Sequence, residues 1–329
     1  MTDGTIDVVK DDILIIAHRG ASGYLPEHTL ASIAYAHALG AHYIEQDVVA
    51  TRDDQLIVLH DVQLDRTTNV ANLFPDRKRE DGRYYARDFD LAEIKQLTAG
   101  ERRDDSDINA VFANRFPVGI GSFRVPTLRE EIKFIHGLNR STGHVAGIYP
   151  EIKNPAWHRE EGVDLSALVV NLLDDMGYRS KADSVYLQCF DAEEVRRIRH
   201  EMGCQLRLVQ FIGENSWGET TTDYDELKTE EGLHSLAGTV DGVGPWLDQI
   251  VDATGVDGIP MSTGLVSTAH KAGLVVHPYT FRAEQLMPGF ESMGEMVAWF
   301  VEKLRIDGLF TDFPDRALAA LDPERLGNS

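Results

Sequence analysis

Four short apolar runs in the first half of this chain end in, or carry, residues able to do chemistry. ILIIA leads into His18-Arg19-Gly20, YIEQDVV carries Glu45 and Asp47, LIVLH closes on His60-Asp61, and IYPEIK carries Glu151 and Lys153. Imidazole gives and takes protons near neutral pH, so His18 and His60 are candidates for a general acid/base pair. Side chains at i and i+2 of a strand face the same way, so Glu45 projects with Asp47, and Glu151 with Lys153. Three carboxylates meeting at one place repel strongly without a cation. Oxygen-only ligands suit a hard ion such as Ca2+ or Mg2+ rather than zinc. Arg19 offers a planar fork matched to phosphate oxygens, and Lys153 a compact positive charge beside Glu151. The chemistry implied is acid–base cleavage at a phosphorus centre, assisted by one divalent cation. A single strand-end histidine or an isolated carboxylate pair is usually a solvated or satisfied polar group. It is the succession of all four runs that points to a site.

These residues need elements that bring them together. Short apolar, β-rich runs alternate with helical patterns, the pattern of a parallel sheet wrapped by helices. Candidate strands span 13–17, 43–49, 56–60, 146–152, 184–189, 206–211, 240–244, 273–279 and 306–311. Helical spacing covers 29–39, 127–138, 163–176, 191–202 and 292–304. Thr29 is a plausible N-cap, and Thr127 with Glu130 reads as a capping box. Nine strand candidates are one too many for an eight-stranded barrel. The five residues 51–55 are too few for a crossover between parallel strands, so the irregularity lies near 43–60. Residues 62–125 break the strand–helix rhythm. A structureless loop of that length is improbable, so they read as an inserted subdomain at the mouth of the barrel.

Composition narrows the partners. With 329 residues, 43% hydrophobic and 26% charged, the chain suits one large α/β barrel or two ordinary domains. A formal net charge of -22 makes nucleic acid and anionic membranes poor bulk partners. No apolar run is long enough to span a membrane. The start, MTDGTIDVVKDD, lacks the basic and apolar regions of a secretion signal. The expected address is therefore cytoplasmic as the chain stands, and periplasmic or secreted if a leader has been removed. Cys189 and Cys204 have no CxxC spacing and read as buried thiols, with one disulfide between them as the alternative.

The segments IIAHRGASGYLPEHTLASIAYAHALGAHYIEQDVVATRDDQLIVLHDVQLDRTTNV, FPDRKREDGRYYARDFDLAEI, IYPEIKNPAWHREEG, VYLQCFDAEEVRRI, VVHPYTFR and GLFTDFPDRA resemble the glycerophosphodiester phosphodiesterase family. The likeness is strongest to its bacterial periplasmic-type members and covers about residues 13–321. Much of the wider family has PEN-T where this chain has Pro26-Glu27-His28-Thr29, and the segment 213–239 is shorter than that subgroup leads one to expect. The resemblance implies an α/β fold of the TIM-type (β/α)8 kind, one barrel domain over 1–329 with 62–125 inserted. It implies hydrolysis of glycerophosphodiesters such as glycerophosphocholine and glycerophosphoethanolamine to sn-glycerol 3-phosphate and an alcohol. Glu45, Asp47 and Glu151 would hold Ca2+ or Mg2+, His18 and His60 would serve as acid and base, and Arg19 and Lys153 would bind phosphate. A glycerol hydroxyl would attack phosphorus, giving a cyclic phosphate that water opens, with indifference to the alcohol as a corollary.

Further pocket candidates lie at later strand ends: Gln188 and Phe190, His277 and Tyr279, and Phe313. Glu27 could ligate the ion or orient a histidine, or simply favour a helix start. Trp157, His158, Tyr84 and Tyr85 are candidates for lid or insertion contacts. The expected partner is a small-molecule glycerophosphodiester, with no nucleic acid and no membrane span; monomer or homodimer is left open. Two other functions stand beside this one: a lyase-type phospholipase on the same barrel, and a catalytically silent binding barrel.

Overall fold

The computed structural model describes residues 13–104, 109–252 and 260–322. Its strands are β1 (Leu14–Ala17), β2 (Tyr43–Ala50), β3 (Leu56–Val58), β4 (Gly147–Ile152), β5 (Tyr186–Cys189), β6 (Arg207–Ile212), β7 (Gly242–Pro245), β8 (Val251–Asp252), β9 (Met261–Ser262), β10 (Val275–Val276) and β11 (Gly308–Thr311). Eight of them pair in the order β10-β7-β6-β5-β4-β2-β1-β11, each pair parallel. Backbone bonds from Phe281 to Phe310 (2.8 Å) and from Asp307 to Val276 (3.0 Å) bring the two ends of this path together, giving a TIM-type barrel. Only two residues of β10 carry regular pairing: toward β7, Pro245 has no N–H to return a bond, and toward β11, Pro278 has none to donate.

The surplus strand is β3. It runs antiparallel to the end of β2, with Val48 opposite Val58 and Ala50 opposite Leu56. A tight turn joins the two: Thr51 N–H donates to Gln55 O at 2.9 Å, and Asp54 takes a left-handed φ of 56°. The hairpin carries His60 back over the barrel mouth.

Helices form where expected. Leu30–Ala38 is capped by Thr29, and Leu128–Thr142 by the Thr127–Glu130 box, ending at left-handed Gly143. Leu165–Asp175, Ala192–His200 and Met293–Trp299 complete the expected set. The barrel strands are buried on both faces, as parallel strands covered by helices must be. Inside, Tyr149 stacks on Tyr186 and meets Phe310 edge-on, both at 5.0 Å, so the barrel has a solid aromatic floor.

Residues 62–125 build a second apolar cluster around Leu64, Phe89, Ile94 and Leu97, packed against Val49 and Ile57 of the hairpin. Cys189 and Cys204 are free, buried thiols. No helix among the described residues is long and apolar enough to cross a membrane. The reading of the first residues, MTDGTIDVVKDD, lies outside the described residues.

Candidate active site

Strand register sets the level of the carboxylates. Asp47 of β2 lies opposite Glu151 of β4, and Glu151 opposite Gln188 of β5. Glu45, two residues before Asp47, points to the same side. One oxygen from each of Glu45, Asp47 and Glu151 lies within 4.8 Å of the others. All three are buried, and Asp47 Oδ1 has no hydrogen-bond partner among the described residues. Glu45 is held by the backbone N–H of Arg19 and by the side-chain amide of Gln188, each at 2.9 Å. Asp47 Oδ2 takes a bond from His28 Nε2 at 2.7 Å.

The HRG turn after β1 follows from its glycine. Arg19 is left-handed at φ 58°, and Gly20 at φ 85° lies so close to Ser32 that a Cβ would meet its Oγ at 2.5 Å. This turn aims the Arg19 N–H at Glu45 and its guanidinium at Asp47 (3.3 Å) and Glu27 (3.2 Å).

Each imidazole is fixed by a carboxylate. His18 Nδ1–H donates to Asp312 at 2.6 Å, and His60 Nδ1–H donates to Asp61 at 2.5 Å. With Nδ1 donating to a carboxylate, each Nε2 keeps a lone pair. Both rings line the same cavity. Lys153 Nζ sits 3.4 Å from His60 Nε2 and 2.6 Å from Glu151. Burial, helped by the positive charge of Arg19, lowers His18 to about 4 and His60 to about 3, so both rings are neutral at pH 7. Burial and the neighbouring Asp47 raise Glu45 to about 8. Burial also pushes Glu151 up, against the pull of Lys153. Asp47 goes the other way: against its burial, His60 when protonated, Lys153 and the bond from His28 hold it well below the usual carboxylate range.

The carboxylates that fix the imidazoles are anchored in turn. Asp312 also accepts from Arg115 (2.6 Å) and Arg282 (2.9 Å), and Asp61 from Arg102 (2.7 Å). Arg102 and Arg115 belong to the 62–125 segment, so that segment supports both histidines from outside the barrel.

The cavity is about 320 Å3 and sits at the C-terminal mouth of the barrel. One wall holds His18, Arg19, Glu45, Asp47, His60, Glu151 and Lys153. The other carries Phe190, Phe211, Trp217, Glu219, Trp246 and Tyr279, with Thr280 and Arg282.

Not every expected pocket residue lines this space. Gln188 stands behind Glu45 and acts through it. Phe313 is packed against Tyr24 and lies beneath the Arg316 guanidinium, because the chain turns into the helix Pro314–Leu321 right after it. His277 lies in the barrel floor, bonded to the Tyr149 hydroxyl at 2.9 Å. The carboxylate of Glu27 is taken by Arg19 and Arg102. Trp157 stacks on Tyr85, His158 is buried against the backbone of Ala50, and Tyr84 donates to Pro75 O. Sequence reasoning missed His28 as a partner of Asp47, and Asp312 as the partner of His18. The acid directly after Thr311, at a strand end like the others, was the available signal for Asp312.

A (β/α)8 barrel with paired carboxylate-bound imidazoles and a ring of acids at its C-terminal mouth is an enzyme. The sequence profile of the Glycerophosphoryl diester phosphodiesterase family matches residues 18–316. A glycerophosphodiester phosphodiesterase of Haemophilus influenzae is 42% identical over 95% of this chain and 91% of its own. One from Treponema pallidum is 37% identical over 92% and 90%. The chain belongs to this family. In fold it is similar to an Oleispira antarctica phosphodiesterase solved with the product sn-glycerol-3-phosphate, at TM-score 0.63 and 22% identity over 94% of this chain and 96% of the other. A glycerophosphodiester phosphodiesterase of Agrobacterium tumefaciens superposes at TM-score 0.59 with 23% identity, over 93% and 99%.

Proposed function

We propose that the chain hydrolyses glycerophosphodiesters to sn-glycerol 3-phosphate and an alcohol, with one Ca2+ or Mg2+ held by Glu45, Asp47 and Glu151. The single observation that carries this is the meeting of three buried carboxylates, one with an unpartnered oxygen, beside two carboxylate-fixed imidazoles. The donor set is all oxygen and fits a hard cation. When bound, such an ion would offset the mutual repulsion of the acids and supply Lewis-acid polarisation of the phosphate.

The chain's own groups do the rest. Arg19 and Lys153 bind the phosphate and orient it. One imidazole takes the proton of the attacking hydroxyl as its oxygen bonds to phosphorus. The other, holding a proton taken from solvent as the anionic phosphate binds beside it, gives that proton to the departing alkoxide as the P–O bond breaks. Through a glycerol hydroxyl the first product is a cyclic phosphate. The rings then exchange roles as water opens it. Neutral rings at pH 7 suit the base step directly. Residues 62–125 act as an inserted subdomain that holds Asp61 and Asp312 in place through Arg102 and Arg115.

The test is a coupled glycerol 3-phosphate assay over glycerophosphocholine, glycerophosphoethanolamine and glycerophosphoglycerol. Release of glycerol 3-phosphate is expected, and a flat trace on every ester with both metals refutes the reading. A supporting prediction concerns Gln188→Leu. Losing its bond to Glu45 is expected to weaken cation affinity about 10–100-fold, read by calorimetric titration.

A further inference from the structure

The two walls of the cavity differ in kind. The wall of β1, β2, β3 and β4 is charged and suited to phosphate. The wall built beyond β5, β6, β7 and β10 is aromatic. Phe211 and Tyr279 stack face to face at 5.1 Å, and Phe190 meets Tyr279 edge-on at 5.8 Å. At the rim Trp217 lies 5.5 Å from Trp246, and 45% of Trp217 is exposed although it lines the cavity. Glu219, two residues on, stands at the same rim with its carboxylate 3.5 Å from Lys153.

This rim is built in advance. Gln249 holds the loop through Gly213 O (2.8 Å) and Glu214 (2.7 Å). Asn215 pins it to Asp223 at 2.9 Å, and the Tyr279 hydroxyl donates to Ile212 O at 2.9 Å. Of the charged groups around it, Glu214 is paired with Lys228 and Arg282 with Asp312, while Lys153 is held closely by Glu151 at 2.6 Å and only loosely by Glu219 at 3.5 Å, which leaves Glu219 the carboxylate that faces a ligand. A glycerol moiety needs hydroxyl partners; ring faces supply none, and beside the rings this wall offers only the polar groups of Glu219, Thr280 and Arg282. Ring faces beside a carboxylate, in a chain of net charge -22, attract a desolvated cation.

We propose that Trp217, Trp246 and Tyr279, with Glu219, form a subsite for a positively charged leaving alcohol, an ammonium or quaternary-ammonium alcohol. The enzyme therefore discriminates among alcohols, against the indifference that the family resemblance implies. This rests on the phosphodiesterase reading, and the experiment separates the two.

The values of kcat/KM are compared for glycerophosphocholine, glycerophosphoethanolamine and glycerophosphoglycerol at fixed ionic strength. The choline ester is expected to exceed the uncharged glycerol ester about tenfold, the range of a partly desolvated cation–π contact. Trp217→Leu keeps apolar bulk and loses the ring, and is expected to bring the ratio close to one. Trp217→Phe is expected to retain most of it. A wild-type ratio near one, or a ratio unmoved by Trp217→Leu, overturns the subsite. A second readout needs no turnover: tryptophan fluorescence titrated with tetramethylammonium chloride against sodium chloride. Saturable quenching in the wild type that Trp217→Leu abolishes supports the subsite, and equal responses to the two salts overturn it. Absence of glycerol 3-phosphate from every ester defeats the phosphodiesterase reading instead, and the fluorescence still decides the subsite.

Discussion

Replacing His18 or His60 by alanine is expected to lower kcat by about 10²–10⁴-fold, the usual contribution of a positioned acid or base. The fold should survive, for a reason visible in the charge network. Without His18, Asp312 keeps Arg115 and Arg282; without His60, Asp61 keeps Arg102. Neither variant leaves a buried carboxylate alone, the situation that costs several kcal/mol elsewhere. Steady-state kinetics together with a circular-dichroism melt separate loss of chemistry from loss of structure. Turnover within a fewfold of wild type would remove that ring from the mechanism.

Removal of the cation is the second large effect. Excess EDTA is expected to abolish turnover, and Ca2+ or Mg2+ to restore it. Binding should also raise the melting temperature, because an ion that binds only the folded chain at about 100 times its Kd adds about 2.7 kcal/mol. The pH dependence has a definite sign. Glu45 is raised from 4.5 to about 8 in the folded, metal-free protein, by burial first and Asp47 second. Between those values the unfolded chain binds fewer protons than the folded one. Glu45 therefore makes the metal-free protein less stable as pH climbs from about 4.5 through 8. A cation competes with that proton, so the metal-induced rise in melting temperature should grow over the same interval. Glu45→Gln should flatten this dependence and lose most of the metal-induced rise. Full activity after exhaustive chelation, or a melting temperature blind to both metals, would exclude the ion.

Much of this was legible in the sequence because strand alternation is a strict rule. Glu45 with Asp47, and Glu151 with Lys153, were placed on common faces by their spacing, and Thr127-x-x-Glu130 marked a helix start that the structure has. The turn-rich 51–55 segment located the irregularity that became β3, since no crossover fits in five residues. Other features were closed to such reasoning. Asp312 stands at a strand end and could be picked out as an acid, but its pairing with His18, 294 positions away, could not, since the two meet only because β11 closes the barrel onto β1. Phe313 shares the strand-end position of true pocket residues, but the helix starting at Pro314 draws it into packing against Tyr24. Arg102 and Arg115 carry no local pattern at all. Their partners are set by how the 62–125 segment docks, which depends on the whole apolar cluster around Phe89.

That docking has a consequence for how the enzyme fails. The guanidinium groups of Arg102 and Arg115 brace both imidazole partners, yet they are carried by the stretch 100–122, whose described residues contribute nothing to either apolar core. Local opening of that stretch withdraws both braces at once while the barrel remains intact. Inactivation on mild heating or limited proteolysis should then run ahead of global unfolding, with catalytic lifetime governed by the weaker of two cooperative units rather than by the barrel.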